Sequence, residues 1–261
     1  MNIGIIGAGS YGTALGGAIE ESGHAVTYYD PAKGYDDFNS LIDLSDYIIF
    51  CAPAETADEM LPLIPAEKPL VIASKGFLST EPFDRFEEYM VLSGPGYAAD
   101  LQARKLTTLT ITDEKIRDFL NVEYLKFDFT TDRLGVLLCG ALKNAYAILA
   151  GFHNLKPGTN EWRAYIDEAS LEIKSILEIN SADPATFDLA CGASDLKLTA
   201  AVPSRNYEYG QLLRNDSLAK PTKTVEGITV INKIRDGHEI VIPSTAKYLI
   251  ELTKIIKEDP C

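Results

Sequence analysis

The sequence predicts an α/β protein, with a doubly wound parallel sheet in its N-terminal half and a helical domain after it. Three observations predict this. Short β-rich apolar runs alternate with helical stretches over the first half, a glycine turn follows the first run, and from about residue 131 the apolar spacing changes to that of helices. The expected domains are therefore residues 1–130 and 131–261.

The first strand is NIGIIG at 2–7, followed by the helical stretch GTALGGAIEES. AVTYY at 25–29, DYIIFCA at 46–52, PLVIAS at 69–74 and MVLSG at 90–94 continue the series, with ETADEMLPLI as a further expected helix. Such near-continuous apolar runs suit parallel strands covered on both faces, joined by right-handed crossovers. LTTLTIT at 106–112 and EYLKFDF at 123–129 extend the sheet beyond its parallel core. In the second half, YIDEASLEIKSILEI is an amphipathic helix.

Composition narrows the function. Apolar residues make up 46% and charged residues 24%, the mixture of a folded globular chain. With 38 acidic against 24 basic residues, the net charge of -14 repels phosphate backbones, so nucleic acid is not an expected partner. An anionic small molecule can bind only where basic residues converge. Cysteines 51, 139, 191 and 261 show no CxxC pairing and only three histidines are present, which argues for reduced thiols in the cytoplasm and against a metal site. The N-terminus begins at once with an apolar strand, and no signal peptide is expected.

One stretch, LGVLLCGALKNAYAILAGF at 134–152, has the length of a membrane span. It carries Lys143 near its centre, where a lysine costs about 3 kcal/mol on insertion. Glycines at 135, 140 and 151 and the following Asn144 favour a buried helix of a globular protein instead, without stable membrane insertion. Burial disfavours the charged form of an amine and readies it for proton exchange, although a lysine can also snorkel its ammonium to the surface.

The turn GAGSYG places Gly7, Gly9 and Gly12 in a GxGxxG pattern between strand and helix, the arrangement that lets a backbone approach a pyrophosphate at a helix N-terminus. Asp30 closes the second strand and suits the ribose hydroxyls of adenosine, which favours NAD, while nearby Lys33 keeps NADP open. SKG at 74–76, with Lys75, and SGPG at 93–96 fall at strand ends, where ligands bind in open α/β sheets. The second half offers polar clusters in apolar surroundings. These are CGASDLKLT with Asp195 and Thr199, PSRNYEYG with Ser204, Arg205 and Asn206, and TVEGITV with Glu226. Arg205 can hold a phosphate through several fixed donors.

Taken in order, GAGSYGTALG, SKG, LSGPGYAADL, GALKNAYAILAG, CGASDLKLT, SRNYEYG, TVEG and IPSTAKYLI resemble the NAD(P)-dependent glycerol-3-phosphate dehydrogenase family over nearly the whole chain. The resemblance implies a Rossmann domain followed by an all-helical domain. It also implies reversible conversion of dihydroxyacetone phosphate to sn-glycerol 3-phosphate with NAD(P)H, supplying phospholipid synthesis. By matching position, Lys143 would be the proton donor or acceptor, with Asp195 and Thr199 orienting its amine. Lys75 and Asn144 would help hold substrate oxygens, and Ser204, Arg205 and Asn206 the phosphate. Gly7, Gly9, Ser10, Tyr11, Gly12 and Asp30 would contact the cofactor, which Lys75, Gly94, Gly96, Ala98, Arg205 and Glu226 would border. A homodimer is the assembly left open.

The sequence departs from that family in three places. Gly96 stands where many members carry a serine, the segment 31–45 is short enough to reduce or remove an adenine-side helix, and the C-terminal part is trimmed. Two rival readings remain. One is a β-hydroxyacid-type dehydrogenase, against which the adjacency of Lys143 and Asn144 counts, because that class resembles a pattern with lysine and asparagine four positions apart. The other is a non-catalytic dinucleotide-binding paralogue.

Overall fold

The computed structural model describes residues 1–201, 203–222, 224–237 and 240–256, so His238 and Cys261 lie outside the described residues. It divides into two compact units, one of residues 1–75 and 80–133, the other of residues 76–79 and those from 134 onward.

The first unit is built on β1 (Asn2–Ile6), β2 (Ala25–Tyr29), β3 (Tyr47–Phe50), β4 (Leu70–Ile72), β5 (Tyr89–Ser93), β6 (Thr107–Ile111) and β7 (Leu125–Phe129). They form one sheet in the order β2-β1-β3-β4-β5-β6-β7. β1 to β5 pair in parallel, β6 enters antiparallel to β5, and β7 runs parallel to β6. Helices α1 (Ser10–Glu21), α2 (Phe38–Leu44), α3 (Ala57–Met60), α4 (Ala98–Gln102) and α5 (Ile116–Phe119) connect them. Ile3, Ile5, Val71, Met90, Leu92, Leu109 and Ile111 pack one face of the sheet against Leu15 and Ile19 of α1, Leu101 of α4 and Phe119 of α5.

One local expectation needs correction. ETADEMLPLI does not make one helix. It forms a 3-10 turn at Ala54–Thr56, the four-residue α3, and a second 3-10 turn at Leu61–Leu63. Pro62, which lacks an N–H and fixes its own φ, stops the helix there. The short segment 31–45 keeps a helix of seven residues, α2, whose first turn is capped by Asp37 accepting from the Ser40 N–H at 2.9 Å.

The second unit is organised around α6 (Arg133–Phe152), with α7 (Asn160–Ile179), α8 (Asp195–Thr199), α9 (Arg205–Asn215), α10 (Glu226–Asp236) and α11 (Lys247–Ile255). α6 is long and apolar enough for a membrane span, yet it is buried inside its unit from Gly135 to Gly151. α7 shows the amphipathic spacing read from the sequence, burying Tyr165, Ile166, Ala169, Ile173, Ile176 and Leu177. Glu172 on its other flank accepts from the Tyr248 N–H at 3.0 Å and the Tyr146 hydroxyl at 2.9 Å, fastening the start of α11 to α6.

α9 and α10 reach α6 by backbone contact. A Cβ on Gly210 would press on the Ile148 carbonyl and lie 2.7 Å from the Phe152 nitrogen, and one on Gly151 would meet the Tyr207 carbonyl. A Cβ on Gly227 would lie 2.6 Å from the Asn144 carbonyl oxygen. Gly210→Ala is therefore expected to destabilise the protein by about 1–3 kcal/mol or more, as overpacking does, read as a fall in the melting temperature; an unchanged melting curve would contradict this packing.

Candidate active site

Lys143 sits in the middle of α6, where the apolar neighbours that make the helix a core element also bury its stem. It is 4% exposed and Asp195, at the start of α8, is 1% exposed. The Lys143 ammonium forms an ion pair with Asp195 Oδ1 and donates to Thr199 Oγ1 at 3.1 Å. Thr199, one turn after Asp195, donates from the same hydroxyl to Asp195 Oδ1 at 3.4 Å. A single turn of helix thus presents a carboxylate and a hydroxyl to one amine. Tyr146, one turn further along α6, is also buried. Desolvation, with Glu172 beside it, raises its pKa well above the ordinary phenol value, so it keeps its proton.

Asn144 heads a second cluster. Its side-chain nitrogen donates to Glu226 Oε2 at 2.8 Å and to the Gly140 carbonyl at 3.2 Å, and its oxygen accepts from Asn206 Nδ2 at 3.0 Å. Asn206 Oδ1 accepts from the Gly227 N–H at 2.9 Å. This chain of amides ties the first turns of α9 and α10 to α6. Asn144 and Asn206 are buried with these bonds made, whereas Arg205, between the cap and Asn206, is exposed. The Ser204 side chain caps α9 by accepting from the Tyr207 N–H.

In the first unit, the parallel strands end together at the edge carrying the glycine turn. The sheet order reverses direction at β1, with β2 on one side and β3 on the other, so the turn after β1 lies at the switch point. Gly7 has φ +101°, and a Cβ there would lie 2.6 Å from the Ala52 nitrogen, so only glycine fits. A Cβ on Gly12 would press on the Gly7 carbonyl, while the space beside Gly9 is open. α1 begins at Ser10 with no side-chain cap and no acidic residue in its first turn. Asp30 Oδ2 accepts from the Ala8 N–H at 3.0 Å, linking the end of β2 to the turn.

Lys75, after β4, donates to the Gly94 carbonyl at 3.1 Å. Gly96 leaves room beside Tyr11, whose ring edge lies 3.6 Å from where a Cβ would be, and Ala98 starts α4. Cys51 lies at the end of β3, where burial pushes its thiol up to about 12 and leaves it unreactive. Among the described residues, Cys51, Cys139 and Cys191 are not in disulfides.

The sequence reading did not include Gly227, Gly140 or Glu172 among the residues that hold these clusters. The glycine inside a helical pattern at 227 is a usable signal of close backbone approach. Nothing local marks Glu172, because its partners are 26 and 76 residues away.

An open sheet with a glycine turn at its switch point and an acid ending β2 defines the Rossmann class of dinucleotide-binding folds, joined here to a helical unit with a buried lysine, aspartate and threonine. The family model described as NAD-dependent glycerol-3-phosphate dehydrogenase C-terminus matches residues 132–254. A glycerol-3-phosphate dehydrogenase [NAD(P)+] of Campylobacter jejuni is 31% identical, covering 91% of this chain and 85% of its own, and one of Leptospira biflexa is 30% identical over 91% and 85%. The crystal structure of a glycerol-3-phosphate dehydrogenase from Coxiella burnetii shares the fold, with a TM-score of 0.83 and 23% identity over 98% of this chain and 94% of that one. The chain belongs to the NAD(P)-dependent glycerol-3-phosphate dehydrogenase family.

The buried ion pair yields a stability prediction. Lys143→Ala leaves the Asp195 carboxylate without its cation and should cost about 3–5 kcal/mol. Adding Asp195→Asn should recover much of that loss in a thermal melt, and a double variant no more stable than Lys143→Ala alone would count against this pairing.

Proposed function

We propose that the protein interconverts dihydroxyacetone phosphate and sn-glycerol 3-phosphate with NADH or NADPH, in the cytoplasm, supplying the glycerol phosphate of phospholipids. The observation that carries this reading is the buried Lys143 amine held by Asp195 and Thr199, in a chain whose relatives are named as dehydrogenases of glycerol 3-phosphate.

The residues of the first unit fit a dinucleotide. The open space beside Gly9 and the start of α1, which carries no side-chain cap, suit a pyrophosphate, with Gly7, Gly9, Ser10, Tyr11 and Gly12 as its contacts. Asp30 would accept from the adenosine ribose hydroxyls, which favours NADH over NADPH, since a 2'-phosphate would meet its carboxylate. Lys75, Gly94, Gly96, Ala98, Arg205 and Glu226 would border the cofactor. When bound, the reduced nicotinamide supplies hydride.

Lys143 gives its proton to the carbonyl oxygen as the carbonyl carbon is reduced, and takes one from the secondary hydroxyl in the reverse direction. Asp195 and Thr199 aim the amine, and Asp195 favours return of the ammonium after the proton leaves. Arg205 at the first turn of α9, with Ser204 and Asn206, would receive the phosphate, and Lys75 another substrate oxygen. Asn144, whose amide bonds Glu226, Gly140 and Asn206, would help Lys75 hold the substrate oxygens. A homodimer remains part of the proposal, to be read by light scattering.

Measured below its lowered melting temperature, Lys143→Ala should lose at least about a hundredfold in kcat while still binding NADH by fluorescence titration. Retention of most of the rate would remove Lys143 from the chemistry. Arg205→Ala should raise KM for dihydroxyacetone phosphate by roughly ten- to a hundredfold, corresponding to a lost charged hydrogen bond of ~1.5–3 kcal/mol; an unchanged KM would move the phosphate elsewhere. The assay is run with NADH and NADPH in parallel and with short 3-oxo acids. Turnover of the 3-oxo acids alone would indicate a β-hydroxyacid dehydrogenase, and NADH binding without any turnover a non-catalytic paralogue.

A further inference from the structure

The amine of Lys143 depends for its aim on α8, and α8 is only five residues long, Asp195–Thr199. Isolated helices below about 12–15 residues are marginal, so contacts from elsewhere must fix this turn. Its entry is a π turn, Ala190–Ser194, in which Gly192 lies so close to the Phe187 carbonyl that a Cβ would press on it. Its exit is Ala200, fully buried, whose carbonyl follows Thr199 directly. A helix end leaves its last carbonyls without intrahelical partners. The Ala200 carbonyl accepts from the indole Nε1 of Trp162 at 2.9 Å.

Trp162 is the only tryptophan of the chain and stands in the first turn of α7. Its own backbone is fixed there, because its N–H donates to the Thr159 side chain at 3.2 Å in a helix cap. A series of short bonds therefore runs from the capped start of the 20-residue α7, through the indole, to the carbonyl next to Thr199, and from the Thr199 hydroxyl to Lys143 and Asp195. The indole N–H bonds the Ala200 carbonyl and not a side chain of the amine's cluster. It holds the end of the turn that carries two of those side chains.

We infer that Trp162 is a positioning residue for proton transfer, setting the register of Thr199 and Asp195 against Lys143 by binding the Ala200 carbonyl. This rests on the reading of Lys143 as the acid and base of the reaction. The role belongs to the indole N–H. An aromatic ring without a donor would fill the space and let α8 shift along or away from the amine. Small displacements of reacting groups are costly, reaching about a hundredfold for 1 Å.

The test is Trp162→Phe, alone and combined with Thr199→Ala, with kcat and KM for dihydroxyacetone phosphate measured alongside hydrogen exchange of the amides at 196–200. In the otherwise unchanged protein, Trp162→Phe should lower kcat by about tenfold with KM within about twofold, and those amides should exchange faster. In the Thr199→Ala background the same change should cost less than about fivefold, because part of its effect passes through Thr199 and the rest through Asp195. Additive losses, or a fall in melting temperature with kcat unchanged, would overturn the inference. If the unaltered protein reduces no dihydroxyacetone phosphate, the proposed reaction fails. The exchange rates then decide the positioning role by themselves, and unaltered protection of 196–200 rejects it.

Discussion

A charge placed inside an apolar helix must be paired, and much of the second unit's arrangement answers to that constraint. Lys143 lies among residues that bury α6 on all sides, where an unpaired ammonium would be far too costly. The carboxylate that meets it comes from the buried start of α8, with Thr199 one turn later completing the contact. The pairing therefore limits where α8 can lie. It also explains why so short a helix follows a π turn, a departure from regular winding that is frequent at functional sites.

The same helix serves as a platform for α9 and α10, and here the constraint is steric. Gly151, Gly210 and Gly227 remove the side chains that would keep these backbones apart. Close approach brings Asn206 and Glu226 within hydrogen-bonding distance of Asn144, so the residue next to the paired lysine anchors two helix starts. Both clusters are thus built on consecutive residues of one helix, so their mutual spacing is set by its geometry. Arg205 is left exposed at the first turn of α9, free of the burial that engages its neighbour Asn206.

In the first unit the governing feature is the reversal of strand order at β1. It opens a crevice at the carboxyl ends of the strands, and the glycine turn occupies that position because Gly7 and Gly12 are in contact through backbone alone. The bond from Ala8 N–H to Asp30 ties the turn to the end of β2. Two features read separately from the sequence are thereby one structural unit.

The alternation of strands and helices, the glycine turn, the acid at the end of β2 and the burial of the helix that carries Lys143 were legible in the sequence, because each is a local pattern or the direct result of apolar neighbours. ETADEMLPLI has the look of one helix from its apolar and acidic residues, but Pro62, which has no N–H to donate, interrupts it. The partnership of Lys143 with Asp195 was suggested only through resemblance to a family, since the sequence between these two residues, which are 52 positions apart, holds no sign of which acid will meet the amine. The bond from Trp162 to Ala200 was not legible at all. It joins an indole to a carbonyl, a group every residue carries, so only the packing of α7 against the end of α8 could select it. By itself the sequence determined the elements and the chemical groups they carry, because those depend on neighbours along the chain. The tertiary structure alone decided which groups meet, because hydrogen bonds and ion pairs depend on distances between residues far apart in the chain.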